Sequence, residues 1–304
     1  MKSFITRHAF LLSAAFLLLT GSSASGQQGS IQQSFENIEV VKINIGYGDL
    51  TVEKSTSGRV EVKGKYNDDE VDVELKTNGG KLSINEKSSW KGNKKEKSEW
   101  TLKLPASTDL TVNIGAGESH INGYAGELEA NSGTGGFHLA DVKGKIHLNS
   151  GTGNIEIQDS DGNFNLNSGT GNVKLAKVSG AISANSGTGN VMADNVSITG
   201  DSGLNSGTGN VSLSLGSPIK GDLALNSGTD NSRLNFNGYN FDGTLVMKCG
   251  KDSGKIEAPF GFDKEETEGS GRYDNTLKKT RKFGDSAVEI TVSTGTGKAS
   301  VQNK

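Results

Sequence analysis

Asn149-Ser150-Gly151-Thr152-Gly153-Asn154-Ile155-Glu156-Ile157-Gln158-Asp159-Ser160-Asp161-Gly162-Asn163-Phe164-Asn165-Leu166 is one unit of 18 residues, and Asn167 starts the next unit with the same four residues. Asn-Ser-Gly-Thr opens at Asn131, Asn149, Asn167, Asn185, Asn205 and Asn226, in steps of 18, 18, 18, 20 and 21 residues. A glycine stands five residues ahead of each, at Gly126, Gly144, Gly162, Gly180, Gly200 and Gly221. Self-similarity at a fixed short period is the mark of a solenoid. Apolar residues alternate on both sides of the Ser-Gly-Thr-Gly corner. Ile146 and Leu148 precede Asn149, and Ile155 and Ile157 follow it; Phe164, Leu166, Val173 and Leu175 repeat the pattern, as do Ile182, Ala184, Val191 and Ala193. Period two on either side of a corner predicts two short strands, each with one buried face. Val142, Val178 and Val196 mark a third, shorter side.

The corners carry the repeat: Asn131 and Gly133, Asn149 and Gly151, Asn167 and Gly169, Asn185 and Gly187, Asn205 and Gly207, Asn226 and Gly228. Two glycines one residue apart supply the positive φ that a sharp bend often requires. Alanine at Gly151 or Gly169 is therefore expected to be costly if those positions are left-handed. Asparagines stacked at the ~4.7–4.8 Å strand spacing can bond amide to amide up a ladder. One coil alone buries too few apolar side chains to offset the entropy of ordering its backbone, so coils must share faces. The fold expected is all-β: a single-stranded parallel β-helix of 18–21 residues per coil, right-handed as parallel crossovers usually are. A period of three hexapeptides also raises a left-handed triangular helix. Apolar positions that do not recur every six residues speak against it.

The register weakens outward. Asn113, Gly115 and Gly117 lie 18 residues before Asn131, Gly133 and Gly135. Ile43 to Val52 and Val288 to Gly297 repeat the logic, as degenerate end coils should. The organisation expected is a signal peptide over 1–26, a β-rich segment with a charged loop over 27–108, solenoid repeats over 109–260, and a loop with a capping coil over 261–304. Asn78-Gly79-Gly80 between two alternating runs signals a hairpin. Glu86 to Glu99 is charged, with Trp90 and Trp100 near its ends. It reads as a solvated loop whose tryptophans pack on the sheet, against the alternative of a binding loop.

A basic start (Lys2, Arg7), an apolar run from Ala9 to Leu19 broken by Ser13, and small residues up to Gly26 predict a cleaved export signal. The run is short for a membrane span. Cleavage takes the net charge from −3 to −5 by removing Lys2 and Arg7. That balance gives nucleic-acid binding no support, and no later apolar stretch is long enough to cross a membrane. Glycine is 43 of 304 residues and proline 3, which suits many tight corners rather than disorder. The single cysteine, Cys249, excludes an intramolecular disulfide and reads as a small buried residue rather than a reactive thiol.

Taken together, Ile45-Gly46-Tyr47-Gly48-Asp49-Leu50-Thr51-Val52, Leu102-Lys103-Leu104-Pro105 with Leu110-Thr111-Val112, the Ser-Gly-x-Gly coils and Ile290-Thr291-Val292-Ser293-Thr294-Gly295-Thr296-Gly297 resemble the bacterial DUF4097 family of adhesin-like proteins. The resemblance covers most of the chain after the signal. The family's Gly-Asp is kept at Gly48-Asp49 and becomes Gly-Asn at Gly153-Asn154, Gly171-Asn172, Gly189-Asn190 and Gly209-Asn210, an exchange between two turn formers. It implies a β-solenoid at the cell envelope and brings no catalytic residues.

The residues themselves offer little chemistry. His120 and His138 stand 18 apart, with Glu156 and Lys174 continuing the column. Two imidazoles and one carboxylate spread over three coils make a poor metal site; His147 lies on another strand. Gly295-Thr296-Gly297-Lys298 lacks the leading glycine and following hydroxyl of a phosphate loop. The corners' neutral Asn, Ser and Thr are weak calcium ligands. Asp159 and Asp161 are the nearest approach to a glycosidase carboxylate pair and read better as turn formers. No cofactor is expected. The function expected is non-enzymatic: an exported adhesin-like or scaffolding protein binding a glycan or an envelope protein. An envelope-stress regulatory module and a carbohydrate-active enzyme are the alternatives.

Overall fold

The computed structural model describes residues 28–88, 96–106, 108–269 and 275–303. The expected signal segment and Trp90 lie outside the described residues. The repeat folds as its period requires. Strand Lys143–Ser150 pairs in parallel with Ala125–Thr134 on one side and with the second half of Ile155–Ser168 on the other. Leu148 thus rests on Leu166, and Leu166 on Ala184, all three fully buried. This stack is face A. After the Ser-Gly-Thr-Gly corner the chain enters face B, where Phe137–Ala140 lies between Ser119–Asn122 and the first half of Ile155–Ser168. Face B ends at a second corner, Asp141, Asp159, Lys177 or Asn195, each left-handed with φ of 50–53°. The third side follows, with Val142, Val178 and Val196 turned inward. Ser160 fills the same column, its Oγ donating to the Gln158 carbonyl and accepting from the Val142 amide.

The corner glycines work differently from the expectation. Gly151, Gly153, Gly169 and Gly171 are not left-handed. A methyl built on any of them overlaps the carbonyl oxygen of the glycine one coil below: Gly133, Gly135, Gly151 and Gly153 in turn. These glycines are needed for close approach of stacked backbones. The left-handed glycines are the unit-opening ones, Gly126, Gly144, Gly162 and Gly180, with φ of 125–155°.

The stack also reaches beyond 109–260. Strand Val40–Lys54 is a coil in its own right, under Asp109–Ala116 on face A and Ser119–Asn122 on face B. On its other side lie Lys81–Ser88 and Ser98–Leu104, also parallel. Chain order and stack order therefore differ at this end. The same exchange occurs at the other end, where Glu289–Thr294 slots between Leu223–Ser227 and Thr244–Gly250, and Lys298–Gln302 between Ser232–Asn235 and Lys255–Glu257.

Each end is closed by antiparallel strands. Val60–Asn67 and then Gln28–Phe35 cover Ser98–Leu104. The hairpin Val71–Asn78 to Lys81–Ser88 turns through Gly79 and Gly80, both left-handed as a two-residue turn demands. Trp100 is buried here, its Nε1 donating to Glu86 Oε1 at 2.7 Å. At the far end Thr276–Lys282 covers Thr244–Gly250 and is covered in turn by Lys264–Glu268. That edge strand is almost wholly charged, which blunts edge-to-edge association.

Candidate functional site

The predicted corner residues form columns along the stack. The asparagine amides donate one coil to the next: Asn44 to Asn85, Asn113 to Asn44, Asn131 to Asn113, and onward through Asn149, Asn167, Asn185, Asn205 and Asn226. Ser293 ends the ladder by donating to Asn226. The serines beside them are buried. Ser150 Oγ donates to the Gly135 carbonyl and accepts from the Gly153 amide, and Ser168, Ser186 and Ser206 repeat this in their own coils. A third column, Asn154, Asn172, Asn190 and Asn210, caps the backbone amides of Asn172, Asn190, Asn210 and Asn231 through Oδ1. The hydrogen-bonding capacity of this corner is thus turned inward along the axis. It builds the rod and leaves little for a ligand. Cys249 occupies the serine column's register, aligned with Thr294, which is aligned with Ser227. Burial pushes its thiol up, away from the thiolate form that reacts.

The outer side of face B is different. Alternation turns two side chains per coil outward, and the surface between the columns is a groove of about 850 Å³ running from His120 to Gln302. One column holds His120, His138, Glu156, Lys174, Met192, Ser212 and Arg233; the other holds Asn122, Ala140, Gln158, Ala176 and Asp194 and continues with Ser214, Asn235 and Gln302. The two imidazoles stack with centroids 4.9 Å apart, one coil spacing. His138 lies 3.3 Å from Glu118 and 3.4 Å from Glu156. Glu156 also accepts from Lys174 at 3.0 Å. Lys174's hydrogen bond and charge, aided by His138, hold the Glu156 carboxyl below its ordinary range. This cluster pairs off its own charges. Among the described residues no three His, Cys, Asp or Glu side chains are grouped to hold a metal.

The other candidate residues lie apart from the groove's chemistry. His147 sits on face A, its Nε2 2.8 Å from Asn149 Nδ2. Asp159 makes the left-handed corner and lies 3.6 Å from Lys177, and Asp161 is an exposed residue whose backbone amide joins the ladder. Gly295 and Gly297 are corner glycines packed on the Gly228 and Asp230 carbonyls. The groove's second column, Asn122 to Asp194, was legible as every other outward position but carries no motif to draw attention to it. Among the described residues no helix is long and apolar enough to cross a membrane.

The chain is similar to solved structures. One named "putative lipid binding protein", from Parabacteroides distasonis, aligns over 92% of this chain and 97% of its own at 15% identity, with a TM-score of 0.54. One named "putative adhesin", from Bacteroides fragilis, aligns over 93% and 100% at 14% identity, with a TM-score of 0.47. No curated protein sequence matches the chain. The model of the family described as Toastrack DUF4097 matches residues 38–248, a span that holds the stack from the coil at Val40 to the strand at Thr244, and the chain belongs to that family.

Proposed function

We propose that the protein is exported to the cell envelope and acts there without catalysis, as an adhesin-like or scaffolding rod that binds its partner along the groove of face B. One observation carries the reading. Apart from the Ser132 hydroxyl the corner columns satisfy themselves, whereas Asn122, Gln158 and Asp194 face the groove with side chains that make no hydrogen bond among the described residues. Polar groups held in a row on a rigid sheet, unused by the fold, are what a binding surface needs. The charged cluster of His138, Glu156 and Lys174 is internally paired rather than poised for proton transfer. The export signal read from the sequence supports the envelope.

The test is fractionation of cells carrying a tagged copy, beside the variant Ala176→Trp. Ala176 is exposed on the groove floor, so a large ring there blocks the groove without entering the core. Wild type is expected in the envelope fraction, and the variant, still folded, is expected to wash off it. A cytoplasmic wild type, or a variant retained as firmly as wild type, overturns the reading.

A further inference from the structure

We infer that the groove of face B takes an extended, uncharged glycan and reads it two sugars at a time; this rests on the reading of the groove as the contact surface. Asn122 aligns with Ala140, Ala140 with Gln158, Gln158 with Ala176, and Ala176 with Asp194. Over these five coils the column therefore alternates a hydrogen-bonding side chain with a methyl; beyond Asp194 it is polar in every coil, with Ser214, Asn235 and Gln302. Within the five, like groups recur every second coil, about 9.5 Å apart at the ordinary strand spacing. That is close to the length of one disaccharide in a β-1,4-linked chain, whose sugars flip by half a turn at each step. Each amide or carboxylate meets the hydroxyl edge of alternate sugars, and each alanine seats a C–H face between them.

The competing occupants fit less well. A peptide adding as a strand needs a free edge, and every groove strand from Phe137–Ala140 to Ser232–Asn235 is paired on both sides. A polyanion needs a basic face. Here Glu156 is paired with Lys174, and Asp194 is balanced along the groove by Arg233. A lipid chain needs a continuous apolar lining, which the polar side chains of Asn122, Gln158, Asp194 and Ser214 interrupt. The five alternating coils from Asn122 to Asp194 span roughly 20 Å, room for about two disaccharides.

Titration calorimetry of the full-length mature protein with cello- and chito-oligosaccharides of two to six sugars tests the inference. Affinity is expected to rise mainly on passing from two to four sugars and little from four to six. Gln158→Ala is expected to lower it roughly tenfold, the loss of a buried hydrogen bond to the ligand. Gln158 is exposed and its column already holds alanine, so this variant keeps the fold. Ala176→Trp is expected to abolish binding. Binding that ignores both variants, or that grows equally with each single sugar, overturns the paired subsites. If no oligosaccharide binds while envelope retention still depends on Ala176, the glycan is overturned and the groove as contact surface stands. If neither binding nor groove-dependent retention is found, both fall.

Discussion

Two corners of each coil turn by different means. At the Ser-Gly-Thr-Gly corner the glycines keep ordinary φ, and their hydrogens face the backbone of the coil below. At the opposite corner Asp141, Asp159, Lys177 and Asn195 adopt φ of 50–53° with side chains exposed to solvent. The first corner is limited by packing along the axis and is uniform in sequence. The second is limited by backbone conformation within one coil and accepts any residue that tolerates the left-handed region. Glycine abundance therefore reports the stacking distance here more than the sharpness of the bend.

The contrast is broken most severely at Gly171. Its absent side chain faces the Gly153 carbonyl in the middle of the stack, where neither backbone can retreat without parting the ladder on both faces. Gly171→Ala is expected to cost more than about 4 kcal/mol, at the level of the largest single-residue effects, and to leave the protein unfolded or in a shorter folded array. Urea unfolding followed by circular dichroism checks it. A loss under about 1 kcal/mol, the scale of a helix-interior Gly preference, contradicts close approach as the reason for the glycine.

The same corner's polar groups come next. Ser168→Ala removes the donor to the Gly153 carbonyl and the acceptor for the Gly171 amide. Leaving buried groups without partners is expected to cost about 2–3 kcal/mol. Asn167→Ala breaks the ladder between Asn149 and Asn185 at a half-buried position that water can reach, and is expected to cost only about 1 kcal/mol. Equal effects in the urea midpoints of the two variants would remove the distinction between the buried and the outer column.

The second corner responds in the opposite sense. Lys177 is held at a φ of 53° with no glycine or Asx side chain to ease it. Lys177→Asn places there a residue that enters the left-handed region readily and loses only an exposed pairing with Asp159 at 3.6 Å. A gain of about 0.5–1 kcal/mol is expected, part of the strain a left-handed non-glycine stores. A thermal midpoint that falls on this substitution would mean the corner is not under strain.

Much of this was legible because period carries information that composition does not. Asn149, Asn167 and Asn185 announce a ladder by recurring at 18 residues, and alternation alone puts Leu148, Leu166 and Ala184 in one interior column. The second corner was hidden because Asp159, Lys177 and Asn195 share a backbone conformation and no side-chain type. The exchanged order at the ends was hidden for a related reason. Ile290 and Val292 advertise a strand with one buried face, but nothing local states that Leu225 lies on one side and Met247 on the other. The groove was half visible: the column from His120 to Lys174 drew attention through its titratable groups, and its neighbour, without them, did not.

The smallest effect separates groove from corner by pH. Glu156 lies between His138 and Lys174 in one column of the groove, and its carboxyl lies below the ordinary range chiefly through Lys174. A lowered folded-state pKa stabilises the native state above the unfolded value near 4.3 and is lost as pH falls through the folded value. Glu156 is more than one-third exposed, so solvent screening reduces the term to a few tenths of a kcal/mol. The stability difference between wild type and Glu156→Gln is therefore expected to be constant from pH 7 to about 5 and to shrink as pH falls below the unfolded value and through the lowered folded one. Asn167→Ala, which changes no titrating group, is expected to show a pH-independent difference over the same range. A Glu156→Gln difference that persisted at low pH would assign the column's cohesion to packing between side chains and not to charge.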